Sequence, residues 1–454
     1  MVGAARSGVA AAQLCAARGA RVTITDKRDA TALGAAIDAL PAGVERELGG
    51  HRLESFVAAD LIVLSPGVPE IPELAAARAA GVPITGELEL ASRFVEAPIV
   101  AITGTNGKST TTTLIGDMMR ATGRPTFVGG NLGQPLAEAI GSAAASARGV
   151  CVVEASSFQL ETAETFRPRV AVLLNVTADH LDRYADMDAY AAAKARIFAA
   201  QTADDFAVVN LDDALAVRAT EGIRARVVGF SVERRVTEGG GASNEGLFLR
   251  LPDGGATERY PAGLPSLVGR HNQSNALAAL LAARLAGATP DQALAGLRAF
   301  RPLAHRMELV ADDGAVAYYD DSKGTNVGAV VAALDGFPRP VVLIAGGRDK
   351  GGDYGPLAAT LARVGRGAVL IGEAADKIAA ALARHVPQLA VERARDMDGA
   401  VDAARRLARP GDAVVLSPAC SSFDMFKDYA HRAEVFRAAV ARQVGVAASS
   451  EAHR

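Results

Sequence analysis

The sequence contains no tryptophan, and aromatic residues make up only 5% of its 454 positions. With few rings to stack on bases and a formal net charge of −3, a nucleic-acid surface is not expected. Cysteine is equally scarce. Cys15, Cys151 and Cys420 are scattered and form neither a disulfide framework nor a C-x-x-C pair for zinc, which fits a reducing cytoplasm. No apolar run reaches the roughly 20 residues of a membrane span, so membrane insertion is not expected. The opening MVGAARSGVAAAQLCAARGARV has the basic residue and alanine run of a signal peptide. However, Gly3, Ser7, Gly8 and Gln13 interrupt it and strand-like RVTIT follows at once, so export is not expected.

Half of the residues are hydrophobic, enough for several cores, and a chain this long is expected to divide into domains. Strand-like runs alternate with alanine-rich helical stretches almost throughout, the pattern of parallel sheets covered by helices. The fold class is therefore α/β, with three units in series, 1–87, 88–302 and 303–454. The first holds RVTITD, 60-DLIVLSPGVP-69 and 82-VPITGELEL-90. The second holds PIVAITG, VCVVEASS, RVAVLLNVTADH and FAVVNLDD, with a Gly-rich, hairpin-like insertion at 238–251. The third, after the Pro-containing connector 300-FRPLAHRMELV-310, holds AVAYYDDS, PVVLIAGG, GAVLIGE and GDAVVLSPA.

The most informative stretch is 101-AITGTNGKSTTTTLIGDMM-119. The usual nucleotide loop reads G-x-x-x-x-G-K-[ST], but only Thr105 and Asn106 separate Gly104 from Gly107. It is either a chance glycine turn or a different branch of phosphate binder. Its setting, between a strand and the helical STTTTLIG, brings backbone N–H groups and a helix N-terminus to one point, which favours phosphate oxygens. Lys108 would neutralise terminal phosphates, and Ser109 could hold Mg²⁺.

Ligands in open α/β sheets sit beyond the carboxyl ends of strands. There Glu154 ends VCVVE and Asp179-His180 follow VAVLLNVTA, suited to magnesium beside phosphates. The N-terminal GAARSG with Asp26 imitates a dinucleotide fingerprint, but Ala5 replaces its second glycine and would crowd a pyrophosphate, so a nicotinamide oxidoreductase is a weak alternative. That helix N-terminus, with Arg6, Ser7, Lys27 and Arg28 nearby, suits another phosphate-bearing ligand. Almost none of the strand expected before Gly3 is present. In the third unit, 320-DDSK-323, 346-GGRDK-350 and 417-SPACSS-422 each follow a strand, a rim of lysines and hydroxyls apt for carboxylates.

The T-G-T-N-G-K-S-T loop resembles that of the Mur ligases and folylpolyglutamate synthetases, which share the shortened glycine spacing. Among the Mur ligases the resemblance runs over essentially the whole chain to the branch that adds D-glutamate to UDP-N-acetylmuramoyl-L-alanine. It is carried by 129-GGNLG-133, 154-EASSFQLE-161, 174-LNVTADHLDRY-184, 190-YAAAKARIF-198, 271-HNQSNALAAL-280, 305-HR-306, 320-DDSKGTNVGA-329 and 417-SPACSSFDMFKDY-429. A folylpolyglutamate synthetase-like ligase would ordinarily lack the first unit. The departures are Gly324, where alanine is frequent, and the missing first strand. The former is expected to be harmless, while the latter leaves the stability of the uridine site open.

The resemblance implies an N-terminal Rossmann-like domain for the UDP substrate, a central P-loop ATPase-like domain and a C-terminal Rossmann-like domain. It implies ATP and Mg²⁺, an acyl-phosphate intermediate, and a monomer working in the cytoplasm on peptidoglycan precursors, hence in cell wall biogenesis, division and shape. Gly104, Thr105, Asn106, Gly107, Lys108, Ser109 and Thr110 would form the phosphate loop, with Asn272, Asn275, Arg306 and Asp321 contacting the nucleotide. Ser109, Glu154, His180 and a carbamylated Lys194 would surround magnesium. Lys323, Thr325, Lys350, Ser422, Phe423 and Tyr429 would surround the glutamate. Asn131 and His180 would face the muramoyl end, and Arg6, Ser7, Lys27, Arg28, Ser65 and Gly67 the uridine nucleotide. Lys108, His180 and Lys194 would be the catalytic set.

Overall fold

The computed structural model describes residues 1–261 and 269–445. These fall into two compact units, one within Met1–Val176 and Asp188–Phe300, the other within Thr177–Met187 and the described residues from Arg301 onward. The first unit contains two domains and the second contains the third.

In the N-terminal domain β1 (Thr23–Asp26) pairs with β2 (Glu45–Leu48), and β3 (Ile62–Leu64) with β4 (Ile84–Gly86), all parallel. Val2 bridges the pairs, parallel to Thr25 on one side and Leu64 on the other. Its N–H donates to Val63 O at 2.9 Å and that of Gly3 to Thr25 O at 2.8 Å. Residues 1–3 therefore supply the strand that the sequence offered almost nothing to form. Pairing on both sides satisfies the backbone of even so short a segment.

The middle domain is a nine-stranded sheet in the order β13-β12-β11-β10-β9-β8-β5-β7-β6. Its strands are β5 (Ile99–Thr103), β6 (Thr126–Gly130), β7 (Val150–Glu154), β8 (Val170–Leu173), β9 (Phe206–Asn210), β10 (Arg226–Ser231), β11 (Gly239–Ser243), β12 (Gly246–Arg250) and β13 (Glu258–Tyr260). All pairs are parallel except the Gly-rich hairpin β11–β12 and its neighbour β13, which extend one edge. β5, β7, β8 and β9 are buried along their whole length, which is why they read as continuous apolar runs. Helices Lys108–Arg120 and Arg270–Leu285 pack on this sheet through Leu114, Ile115, Met118 and the alanine-rich stretch 276–283.

The third domain has β14 (Glu308–Asp312), β15 (Ala317–Asp320), β16 (Val341–Gly346), β17 (Gly365–Ile371), β18 (Ala390–Arg393) and β19 (Ala413–Leu416), ordered β14-β15-β19-β16-β17-β18. Only β14 is antiparallel. Val341, Leu343 and Ala345 enter one core and Val342 and Ile344 the other, the period-two alternation of a strand covered on both faces.

The stretch 82-VPITGELEL-90 divides: the strand ends at Gly86, and Glu87–Ser92 is helix. Both of its glutamates are buried acceptors. Glu89 takes the N–H groups of Glu164, Thr165 and Phe166 at 2.8–3.0 Å, and Glu87 takes that of Ala137 at 2.7 Å. Burial pushes the Glu87 carboxyl from its ordinary 4.5 up to about 7; the Ala137 bond opposes the shift and Glu138 adds to it. A carboxyl that holds its proton more tightly folded than unfolded stabilises fully below the unfolded value, and this contribution is lost as pH rises through the folded one. Wild type should therefore lose up to about 3 kcal/mol between pH 4.5 and 7 from this group. Glu87→Gln should remove that slope from urea unfolding measured across the window. Parallel profiles for the two proteins would contradict the assignment.

Candidate active site

The phosphate loop joins β5 to the helix Lys108–Arg120 and lies between the ends of β7 and β8, the strands flanking β5. Gly104 has φ +151° and Gly107 φ +85°, and a Cβ on Gly107 would come within 2.3 Å of Asn275 Oδ1. Both glycines are thus required by backbone shape, and the second by the approach of Asn275 as well. Lys108 folds back over the loop, its Nζ donating to Gly104 O at 2.9 Å and Thr105 O at 2.8 Å. Ser109 and Thr110 lie buried in the first turn of the helix, and Asn275 Nδ2 is 3.3 Å from Asn272 Oδ1.

Lys194 is not the solvated helix lysine that its spacing alone would suggest. It is 1% exposed, donates to Gly104 O at 2.9 Å and sits 4.4 Å from the centre of the Tyr190 ring. Glu154, at the end of β7, is also buried. Its Oε1 accepts from Asn131 Nδ2 at 2.8 Å, while Oε2 is one of the buried polar atoms without a hydrogen-bond partner among the described residues. A buried carboxylate oxygen left this way fits a hard cation with oxygen ligands. His180 lies in Thr177–Met187, which belongs to the other compact unit.

At the N-terminus, Asp26 is engaged internally. It accepts from Ala4 N at 2.8 Å and from Arg28 Nε and Nη2 at 3.0 and 2.8 Å. Burial alone would raise its pKa, but these bonds outweigh it and hold the carboxyl well below the usual carboxylate range. The acid that would mark a dinucleotide site is therefore already bound within the chain. Arg6 donates to Gly133 O at 2.6 Å, Ser65 Oγ to Gly3 O at 2.9 Å, and Gly67 has φ +82°. Ser7 is half-buried, and Lys27 and Arg28 are exposed.

In the other unit, the three polar loops follow β15, β19 and β16, which are neighbours, so the sheet order sets them side by side. Asp321 is buried and accepts from Ser417 Oγ. Burial pushes it up to about 7 against that bond and the charge of Arg306. A Cβ on Gly324 would stand 2.6 Å from Asp321 Oδ2 and 2.8 Å from Ser417 Oγ, so in this chain the glycine lets that pair sit close.

A cavity of about 310 Å³ is lined by Asp179, Thr325, Asn326, Lys350 and Tyr354 among others. Asp179 holds its polar wall together: Oδ1 is 3.1 Å from Lys350 Nζ and Oδ2 accepts from Asn326 Nδ2 at 3.1 Å. Thr325 and Lys350 thus share one cavity. Lys323 instead stands 5.3 Å from the Tyr429 ring centre, Ser422 is buried, and Phe423 is 64% exposed.

Two polar residues of this rim escaped sequence reasoning. Asn326 was hidden as an N-cap, its side chain also accepting from Ala329 N. Arg432 is wholly buried and ties two loops, donating to Ser322 Oγ, Ser322 O and Cys420 O at 2.8–3.2 Å; no periodicity marks it. His305, Glu308 and Asp320 are close enough to share a cation, but Arg437 already pairs with both acids. Cys420 is buried beside Tyr354, and burial pushes its thiol up to about 11, so it is no nucleophile.

Residues 102–283 match the Mur ligase middle domain, residues 305–420 the Mur ligase glutamate ligase domain, and residues 1–86 the Mur ligase MurD-like N-terminal domain. The UDP-N-acetylmuramoylalanine--D-glutamate ligase of Geotalea daltonii is 48% identical over 447 residues, covering 98% of this chain and 97% of that protein. The enzyme of the same name from Anaeromyxobacter dehalogenans is 51% identical over 450 residues, 96% of each. Among solved structures, a pseudomurein peptide ligase type C from Methanothermus fervidus superimposes with a TM-score of 0.62 over 97% of this chain and 99% of that one. At 19% identity this likeness speaks to the fold.

Proposed function

We propose the reaction from one premise: the chain belongs to the Mur ligase family. It is an ATP-dependent ligase that adds D-glutamate to UDP-N-acetylmuramoyl-L-alanine in peptidoglycan precursor synthesis. The observation that carries this reading is the nearly full-length identity of 48% and 51% to ligases of that name.

A free carboxylate has no leaving group, and phosphorylation supplies one. An oxygen of the alanyl carboxylate attacks the γ-phosphorus of ATP and ADP departs. The amine of D-glutamate then attacks the acyl carbon, loses a proton, and phosphate leaves carrying the original carboxylate oxygen. Catalysis of such transfers rests on positioning and charge neutralisation. Lys108 and the amides at the start of its helix take the phosphates, with Asn272, Asn275, Arg306 and Asp321 on the nucleotide.

Ser109, Glu154, His180 and Lys194 are the residues that would hold Mg²⁺, which neutralises phosphate charge when bound. The unpartnered Oε2 of Glu154 supports that set. Asn131 orients Glu154 and faces the muramoyl end, and Arg6, Ser7, Lys27, Arg28, Ser65 and Gly67 take the uridine nucleotide. Among the described residues no helix is long and apolar enough to cross a membrane. The soluble nucleotide substrates and the free thiols Cys15, Cys151 and Cys420 suit the cytoplasm, and a monomer is what the family resemblance implies.

The path of oxygen tests this chemistry. With ¹⁸O in the alanyl carboxylate, one labelled oxygen should appear in each phosphate released. Unlabelled phosphate from a labelled substrate would rule out the acyl phosphate.

Lys350 and Thr325 line the cavity assigned to D-glutamate, whose carboxylates suit an ammonium and a hydroxyl donor. Lys350→Ala should raise the KM for D-glutamate by about tenfold or more and leave that for the uridine nucleotide within about twofold. Equal rises for both would show that Lys350 serves another step.

A further inference from the structure

Polar groups of the short loop between Gly104 and Gly107 are held by a residue outside it. That residue is Asn175, just beyond β8, which meets Thr105 N, Asn106 N and Asn106 O. Its backbone carbonyl accepts from Thr105 N at 2.9 Å. Its carboxamide spans Asn106: Oδ1 accepts from Asn106 N at 2.8 Å and Nδ2 donates to Asn106 O at 3.0 Å.

Those two groups belong to successive peptide planes. In a trans peptide the C=O and N–H point in opposite directions, and the described chain has no cis bond. Holding Asn106 N–H toward Asn175 therefore turns the Thr105 carbonyl away from it, where that carbonyl accepts from Lys108 Nζ at 2.8 Å. Holding the Asn106 carbonyl toward Asn175 likewise turns the Gly107 N–H outward.

Asn175 is itself fixed on both sides. Leu174 N donates to Thr103 O at 3.0 Å and Leu174 O accepts from Asn210 Nδ2 at 2.9 Å. Val176 N donates to Asp213 Oδ2 at 2.9 Å.

We propose that Asn175 is the positioning residue of the phosphate loop, its carboxamide fixing both peptide planes around Asn106 so that Lys108 and the Gly107 amide are aimed at the ATP phosphates. An anion site of this kind acts through donors set in place before the ligand arrives, and a carboxamide carries an acceptor and a donor on separate atoms of one planar group, so it can accept from one plane and donate to the next. The proposal rests on the ATP-dependent reading above.

Asn175→Ala and Asn175→Asp, made in the full-length chain and assayed beside the unaltered protein, test it. Asn175→Ala should raise the KM for ATP about tenfold or more, with those for D-glutamate and the uridine nucleotide within about twofold. Asn175→Asp keeps an acceptor for Asn106 N but removes the donor and adds an anion beside the phosphates. Its ATP defect should exceed that of alanine and shrink as salt rises, which a merely structural loss would not do.

If the alanine variant does not fold, the salt dependence of the aspartate variant decides. An unchanged ATP KM, or three KM values rising together, would overturn the proposal. An unaltered protein that consumes no ATP would instead overturn the reading on which it rests.

Discussion

Lys108→Ala should abolish ligation, lowering kcat by about 10²-fold or more, while the protein stays folded. The side chain is half-buried, and its Nζ is spent on two loop carbonyls, Gly104 O and Thr105 O, so its removal opens no core cavity. What is lost is the one ammonium that the loop sequence itself supplies for phosphate charge. Steady-state rates with saturating ATP, read beside a thermal melt, separate the two effects. Turnover near that of the unaltered protein would remove the phosphate-loop assignment.

The second large effect is expected at Lys194. Beside a bound magnesium an ammonium would be repelled and the neutral amine would be favoured. Carbon dioxide adding to that amine gives an anionic oxygen ligand of the type magnesium prefers. The burial of Lys194 against the Gly104 carbonyl and the Tyr190 ring places its Nζ at the phosphate loop, where a carbamate would have to be, rather than in solvent. Lys194→Ala should lose most activity, about 10²-fold, and acetate added to the assay should restore part of it by standing in for the carbamate. Protein equilibrated with ¹³C-bicarbonate should show a carbamate carbon resonance that the variant lacks. A fully active variant would show the carbamate to be wrong.

Much of this architecture was legible because parallel strands buried on both faces leave long apolar runs, and each such run ends in a polar loop. VCVVE, VAVLLN and PIVAITG became β7, β8 and β5, and the sheet order then set Glu154, Asn175 and the phosphate loop side by side. Contacts made by a single polar atom left no such trace. Lys194 read from spacing alone is a surface lysine, because a helix of alanines gives little sign of which face is covered. Asn175 looked like an ordinary residue of VLLNVTADH, since an asparagine that clamps a neighbouring loop has the same sequence appearance as one that caps a turn. GELEL read as strand-like because its alternation of acid and leucine has period two. Tertiary hydrogen bonds to Glu87 and Glu89 reward a helix there instead. The strand contributed by residues 1–3 was missed because three residues carry no periodicity at all.

The reaction and its amino-acid choice are read together in a phosphate-release assay with ATP, UDP-N-acetylmuramoyl-L-alanine and a panel of amino acids that includes both enantiomers of glutamate. Release should require both the uridine nucleotide and D-glutamate, with L-glutamate and other amino acids far slower. Release independent of the uridine nucleotide, or fastest with another amino acid, would contradict the proposed reaction.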